Sequence, residues 1–210
     1  MLNVTKPCRI VGSGMHVPES VDSSTIEAEY GLPQGWALKH SGVQTRHWIQ
    51  GQTVAQLGSQ AAQQALDNAN VTLAKIDVLI TAGGTSDQHI PSQAALTLAL
   101  MEGGDQAQCQ AFHVDTTCLS FITAFRLAAD MLQDPEIHRI LVVASEVASV
   151  GIGPPSTAET RGCGPHRWLG GQCFDLAFGR GFEMASTRHG SHLGVPAVCE
   201  RVGKHVSTRG

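Results

Sequence analysis

The chain has 210 residues, of which 42% are hydrophobic and 15% are charged, and its formal net charge is −4. This composition suits a folded α/β domain with a sizeable core and excludes a disordered chain. The mild acidity gives no footprint for nucleic acid or for an anionic membrane, and no apolar run has the length of a membrane span or a signal peptide. We therefore expect a cytoplasmic protein without a nucleic-acid partner.

Strands and helices alternate along the first 150 residues. The sequence opens with a strand at 9–14 and a glycine turn, and Asp22 or Ser23 caps a short helix after it. Thr53 is the N-cap of a longer helix at 53–70. The later elements are a strand at 77–81, a helix after Pro91, a strand at 111–114, a helix at 119–132 and a strand at 140–144. This alternation predicts a layered α/β fold with largely parallel strand pairing.

Apolar residues recur at helical spacing in two of these helices, and this spacing predicts an amphipathic helix in each case. In the helix at 53–70 the apolar positions are Val54, Leu57, Ala61, Ala65 and Ala69. In the helix at 119–132 they are Leu119, Ile122, Phe125, Leu127 and Met131.

One of the six cysteines has a distinctive position. None of the six forms a C-x-x-C pair, so we expect neither a zinc site nor a redox motif, and no disulfide framework. Cys118, however, follows the strand at 111–114 by a three-residue turn and opens the next helix. Free N–H groups and the positive end of the helix dipole stabilise a thiolate there, and a thiolate can attack a thioester carbonyl. By position alone, a buried core cysteine is an equally good interpretation.

Five stretches of the sequence resemble, in order and with matching spacing, the β-ketoacyl-acyl-carrier-protein synthase III family of the thiolase-like superfamily. The segment DTTCLSF resembles the turn that carries the family's active-site cysteine. The stretch WALKHSGVQTRH resembles a family signature that begins with Trp and continues through Arg and Gly to a final basic pair. Each motif is weak alone, but five in order identify a member. The stretches are 10–14 with Pro18, 36–47, 77–91, 115–121 and 140–146.

The resemblance implies a thiolase-like fold and an acyltransferase that condenses an acyl-coenzyme A primer with malonyl-acyl-carrier protein in fatty acid biosynthesis. Cys118 would be the acylated nucleophile, Trp36 would stack on the adenine of coenzyme A, and Phe121 would contact the substrate. His40 stands where many members have an Arg that helps to hold the nucleotide. A neutral imidazole supplies no fixed bidentate charge, so the carrier of the primer stays open. Coenzyme A enters as part of the substrate, and no cofactor or metal is expected.

The resemblance also implies protein partners. Family members work with acyl-carrier protein and form homodimers through the unit that carries the cysteine. A residue in the loop before a proline reaches into the acyl pocket of the partner. In this chain the loop is 86–90, and Ile90 is the candidate for the reaching side chain.

The resemblance ends near residue 150, where the composition changes. The segment 151–210 is rich in Gly, His, Arg, Ser and Pro, has no sustained period and predicts no further strand. It also lacks the family's G-D-G-A motif and the region that supplies the catalytic His and Asn. We interpret 1–150 as the first half of the fold and 151–210 as an irregular tail, truncated or read out of frame, because a one-nucleotide shift over 163–171 permits Leu-Ile-Asp-Gly.

The Cys and His residues of this tail are spaced too irregularly for a metal site. They are Cys163, Cys173, Cys199, His166, His189, His192 and His205.

These expectations leave alternatives open. Within the superfamily, the chain could be a thiolase, a hydroxymethylglutaryl-coenzyme A synthase or an enzyme that joins two long acyl chains. Outside enzymes, it could be a non-catalytic remnant or a partner subunit that only dimerises. Our first interpretation is a synthase III-like acyltransferase half that is incomplete and inactive alone.

Overall fold

The computed structural model of the chain describes residues 8–151 and 195–201. The helices and strands follow in the order β1 Cys8–Ser13, β2 Ser20–Asp22, α1 Ser23–Glu29, α2 Trp36–Ser41, β3 Thr45–His47, α3 Val54–Ala69, β4 Val78–Ala82, α4 Gln93–Ala99, β5 Gln110–Val114, α5 Ser120–Met131, β6 Arg139–Ala144 and β7 Val195–Arg201. Each element predicted from the sequence is present, with ends displaced by a few residues at most. None of the helices in the described part is long and apolar enough to cross a membrane.

A five-stranded sheet in the order β1-β7-β6-β4-β5 forms the core. The central strand β4 pairs in parallel with β5 on one side and with β6 on the other. All five residues of β4 are buried, as are the four residues at the middle of β6. Strands covered on both faces carry continuous apolar runs rather than alternating ones, which is why the sequence pattern identified these two.

Strand β7 corrects the expectation that residues 151–210 add no strand. It lies between β1 and β6, runs antiparallel to both, and buries Ala197, Val198 and Cys199. The apolar run is short and contains Pro196, which lacks the N–H that a central strand donates, so the pattern argues against a strand. The prediction of largely parallel pairing, made for the strands of the first 150 residues, holds for β4, β5 and β6, whereas β1 pairs antiparallel with β7.

Charged side chains also tie β7 to both of its neighbours. Glu200 on β7 accepts a hydrogen bond from Nη2 of Arg9 on β1 at 2.6 Å and another from Nη2 of Arg139 on β6 at 2.9 Å. The bond from Arg9, with the two positive charges, holds the pKa of Glu200 below its usual range. A single carboxylate thus links three strands in addition to their backbone ladders.

Helices cover both faces of the sheet. On one face α3 and α4 pack through Ala62, Ala65 and Ala94 against buried residues of β4, β6 and β7. The predicted start of α3 is confirmed, because Thr53 forms a capping box with Gln56. The helix also approaches β1 closely. An added Cβ at Gly12 would lie 2.4 Å from the carbonyl oxygen of Ala65, so β1 needs glycine at that point.

Helix α5 covers the other face, but only partly with the residues expected. Its buried side chains are mostly small and include Ala124 and Ala128, which pack against β4 and β6. Three members of the predicted apolar set are exposed instead, with exposed fractions of 59% for Leu119, 53% for Ile122 and 37% for Leu127. The small residues let α5 lie close to the branched side chains of the sheet, while Phe125 and Met131 of the predicted set pack partly buried against the same cluster. The helix was predicted correctly, and its buried face was predicted only in part.

A smaller unit lies beside the sheet. Strands β2 and β3 form an antiparallel pair, and α1 and α2 pack next to them. Its core consists of Ile26 and Leu32, with Val21, Tyr30, Trp36 and Trp48 partly buried against them. The unit thus has a separate hydrophobic cluster and holds Trp36.

Candidate active site

The parallel register brings three loops to one edge of the sheet. Ala82 at the end of β4 pairs with Val114 on β5 and with Ala144 on β6, so the three strands end level with one another. The residues that follow them are the glycine pair 83–84, the turn 115–118 and the pair 145–146. Open α/β sheets place their chemistry outside the carboxyl ends of parallel strands.

The turn that carries Cys118 is fixed by local hydrogen bonds. The carboxylate of Asp115 accepts a bond from Thr117 N at 2.9 Å. The hydroxyl of Ser120 accepts a bond from Thr116 N at 2.9 Å and donates one to Thr117 O at 2.7 Å. Thr117 has a φ of 53°, which is uncommon for a β-branched residue and persists because the surrounding bonds hold it.

Cys118 itself is exposed and lies in a single 3-10 turn, Thr117–Leu119, directly before α5. The strand, turn and helix predicted around it are therefore all present. The side chain stands at the carboxyl edge of the sheet rather than in the core, so the alternative interpretation as a buried core cysteine does not describe its position.

Glu146 is an important residue of this edge that our sequence analysis did not single out. Its carboxylate accepts hydrogen bonds from Gly84 N at 2.5 Å and from the hydroxyl of Thr85 at 2.8 Å. Thr85 in turn accepts a bond from Val147 N at 3.0 Å. The end of β6 thus holds the loop that follows β4. The signal in the sequence was a carboxylate two residues after the end of a buried strand, since β6 ends at Ala144.

The two glycines of that loop differ in the space around them. An added Cβ at Gly83 would lie 2.8 Å from Ser145 O, closer than real Cβ atoms come, and 3.0 Å from Oε1 of Glu146, tighter than most real Cβ contacts. At Gly84 the nearest atom would be Cα of Thr117, the residue before Cys118, at an ordinary 3.5 Å. The loop therefore packs against both Glu146 and the cysteine turn.

Ile90 lies at the end of the same loop and points away from the described core. Its exposed fraction is 88%, and it precedes Pro91 in a cis peptide bond. The loop is anchored at Asp87, whose carboxylate accepts bonds from Val54 N and Ala55 N, both at 2.8 Å. A carboxylate at these first amides of α3 also suits the helix dipole.

The other predicted site residues divide between the two units. Phe121 lies in the first turn of α5, with its ring centroid 6.2 Å from that of Phe125, and packs partly against the sheet. Trp36 and His40 are together on α2, where their rings stack at 4.3 Å with 22° between the planes. The structure thus joins Trp36 to His40, while Trp36 and Phe121 pack against different hydrophobic clusters.

Three other cysteines in the described part have environments that disfavour the thiolate. Burial raises the pKa of Cys8 and of Cys109, and it raises the pKa of Cys199 to about 12. Of the tail residues considered as metal ligands, only Cys199 is described, and it is buried in β7. The others lie outside the described residues.

Selective alkylation tests the distinction among the cysteines. We expect iodoacetamide at pH 7.5 to label Cys118 on the order of tenfold faster than Cys8 or Cys109, because it is exposed while burial raises the pKa of the other two. Peptide mapping by mass spectrometry measures the rates. In 6 M urea the difference should disappear. Equal rates in the folded protein would contradict the proposed role of Cys118.

A pair of substitutions tests the packing of the loop against Glu146. Gly83→Ala should lower the free energy of unfolding by about 1–3 kcal/mol, because its Cβ overlaps Ser145 O and Glu146. Gly84→Ala adds the same methyl group where the space is ordinary and should change it by less than about 0.5 kcal/mol. Urea denaturation followed by circular dichroism measures both. Equal destabilisation would show that the described loop geometry is wrong.

Comparison with known proteins agrees with the resemblance seen in the sequence. The family model for the N-terminal domain of chalcone and stilbene synthases matches residues 27–170. β-Ketoacyl-acyl-carrier-protein synthase III of Cereibacter sphaeroides is 32% identical over 140 residues, which are 66% of this chain and 42% of the relative. The protein of the same name from Vesicomyosocius okutanii is 28% identical over 147 residues, 70% of this chain and 46% of the relative. The chain thus spans about half the length of these relatives.

Solved structures share the fold. 3-Oxoacyl-acyl-carrier-protein synthase III from Aquifex aeolicus superimposes with a TM-score of 0.70 at 21% identity, covering 93% of this chain and 54% of that one. OleA of Xanthomonas campestris, solved with lauric acid and lauroyl-CoA bound, gives 0.65 at 22% identity, covering 92% and 56%. The predicted thiolase-like fold is therefore confirmed. The chain belongs to the family of the chalcone and stilbene synthase N-terminal domain, and it is similar in sequence to the β-ketoacyl-acyl-carrier-protein synthases III.

Proposed function

We propose that this chain performs the acyl-accepting step of a β-ketoacyl-acyl-carrier-protein synthase III in fatty acid biosynthesis. The thiolate of Cys118 attacks the carbonyl carbon of an acyl-coenzyme A, a new thioester forms on the sulfur, and the thiolate of coenzyme A leaves and takes up a proton. The observation that carries this proposal is the exposed thiol at the carboxyl edge of three level strands, in a turn fixed by Asp115 and Ser120. We propose the cytoplasm as the compartment, since the substrates of this step are made there.

The surroundings of Cys118 suit an acyl chain. Leu119 follows Cys118 in the sequence and Ile122 comes about one helical turn later, and the apolar side chains of both are exposed, with Phe121 between them in sequence. Apolar surface of this kind gains free energy when an alkyl chain covers it. We assign Phe121 to the acyl portion of the substrate, and Trp36 and His40 to the coenzyme A portion.

The complete reaction needs more than the nucleophile. Condensation with malonyl-acyl-carrier protein breaks a carbon–carbon bond, releases carbon dioxide and forms a carbanion and an oxyanion, which other groups must stabilise. In the resembling enzymes a His and an Asn of the second half do so, and this chain spans about half of its curated relatives. We propose that the chain alone stops at the acyl-enzyme.

Intact-mass spectrometry tests the acyl-accepting step. The protein is incubated separately with acetyl-CoA and octanoyl-CoA and quenched in acid. We expect one acyl group per chain on the peptide that contains Cys118, with none on Cys118→Ser, whose hydroxyl is a far weaker nucleophile. The matched control Cys109→Ser should be acylated like the original protein. Adding malonyl-acyl-carrier protein should give no β-ketoacyl product, and robust turnover would contradict the proposed stop at the acyl-enzyme.

We further propose a homodimer in which Ile90 contacts the second copy. Ile90 exposes 88% of its surface, on a loop that is anchored at Asp87. Burying this apolar side chain against a second copy would therefore be favourable. The same loop includes Gly84, which packs against the cysteine turn. A contact through Ile90 would therefore connect the candidate active sites of the two copies.

Ultracentrifugation of variants tests this interface. Ile90→Asp should raise the dissociation constant of the dimer at least about tenfold, because a carboxylate would have to be buried without a partner. Leu100→Asp, at a leucine that is 52% exposed at the end of α4, is the matched control and should leave the constant unchanged. A dimer that is indifferent to Ile90→Asp would place the interface elsewhere.

A further inference from the structure

A buried pair of opposite charges lies beneath helix α2. Glu27 on α1 has an exposed fraction of only 2%, and Arg46 on β3 has one of only 4%. Burial lowers the pKa of Arg46, and the negative charge of Glu27 counteracts that effect. Buried charges cost much free energy unless they are paired and hydrogen-bonded. The hydrogen bonds of Glu27 and Arg46 therefore show which segments the two side chains hold in place.

The carboxylate of Glu27 binds the backbone on both sides of Trp36. Its Oε2 accepts a hydrogen bond from Gly35 N and its Oε1 one from Ala37 N, both at 2.7 Å. The amide of Trp36 donates to Pro33 O at 3.0 Å. Gly35, the N-cap of α2, makes no side-chain cap of its own, so the carboxylate from α1 satisfies amides that the helix leaves unpaired.

The guanidinium of Arg46 holds the opposite end of the same helix. It donates to the hydroxyl of Ser23 and, at 3.3 Å, to that of Ser41, the last residue of α2. Ser41 in turn donates to Ala37 O at 2.7 Å. Together the two charges fix both ends of a helix of only six residues, which would not be stable alone.

The position of Trp36 also determines that of His40. Nδ1 of His40 lies 2.8 Å from the carbonyl oxygen of Trp36, which can only accept, so Nδ1 carries the proton and donates. The imidazole then stacks on the indole ring. The two aromatic rings therefore form a single platform that depends on the backbone around Trp36.

We propose that Glu27 is the positioning residue of the coenzyme A site. It does not touch the ligand, but it fixes the backbone amides on either side of Trp36 and so holds the platform of Trp36 and His40 in the geometry that binds the nucleotide. This inference rests on the proposed function, because it requires that the platform binds coenzyme A. Glu27 lies on α1, whereas the platform lies on α2 and the nucleophile lies at the carboxyl edge of the sheet.

Substitution of Glu27 in the full chain tests the proposal. Glu27→Gln keeps the size of the side chain but can accept only one of the two amide bonds, since its NH2 group would face the other donor. Desulfo-coenzyme A, which has no thiol to exchange with Cys118, is the probe. We expect its dissociation constant by calorimetry to rise about tenfold, with an unchanged rate of Cys118 alkylation. Glu29→Gln, an exposed carboxylate on the same helix, is the control and should bind as before.

A second variant and a second measurement make each outcome decisive. Glu27→Asp keeps the charge beside Arg46 but is too short to reach both amides, so it should also bind more weakly while remaining folded by circular dichroism. In a proton–nitrogen correlation spectrum, the indole signal of Trp36, assigned with Trp36→Phe, should move in both variants. Unchanged affinity and an unmoved signal would overturn the proposal. Unfolding of both variants would also overturn it, because Glu27 would then be required for folding rather than for positioning Trp36. If the original protein does not bind the probe but the signal moves, the coenzyme A site fails while the positioning of Trp36 stands.

Discussion

The parallel register of β4 with its two neighbours is the constraint on which the candidate active site depends. Because Ala82, Val114 and Ala144 are paired across the sheet, the loops that follow them begin at the same level. The register is fixed by the ends of the buried runs, since a slip of β4 or β6 would move an apolar residue out of the core at one end and draw a flanking residue into it at the other. Cys118 and Glu146 are thus brought to one edge by burial of the strands rather than by contacts of their own.

Small residues make that edge compact. Ala124 and Ala128 let α5 lie close to the sheet, so its first turn and the cysteine before it stay near the strand ends. Gly83 allows the loop after β4 to pass against the carboxylate of Glu146, where no Cβ fits. Three large apolar residues of the segment that follows Cys118 remain exposed on the outer side, namely Leu119, Ile122 and Leu127. The helix therefore combines a tight inner contact with an apolar outer surface suited to an acyl chain.

The sequence was sufficient for the family and for most strands and helices, but it missed the short elements β2, α2 and β3 and the strand β7, and it was insufficient for contacts between distant segments. The continuous apolar run of β4, the capping residue Thr53 and the turn before Cys118 are local features, and local features leave a readable pattern. The central position of β7 depends on pairing with strands far away along the chain, and Pro196 weakened its local signal. The exposed face of α5 was misjudged because apolarity alone does not say whether a side chain of that size fits against the sheet. The roles of Glu27 and Glu146 depend on which amides their carboxylates reach, which spacing does not reveal.

The two candidate binding regions are stabilised by different interactions, and we therefore expect them to differ in local stability. The cysteine edge is fixed by the register of a buried sheet, so it is as stable as the fold itself. The platform of Trp36 and His40 belongs to a small unit with few large buried side chains, and its helix depends on one buried charge pair. A short helix held by a few hydrogen bonds opens at a lower free energy than strands in the core. Loss of the platform should therefore leave the intrinsic reactivity of the Cys118 thiol toward an alkylating reagent intact, whereas under the proposed function acylation by an acyl-coenzyme A should become slower because the donor binds less tightly.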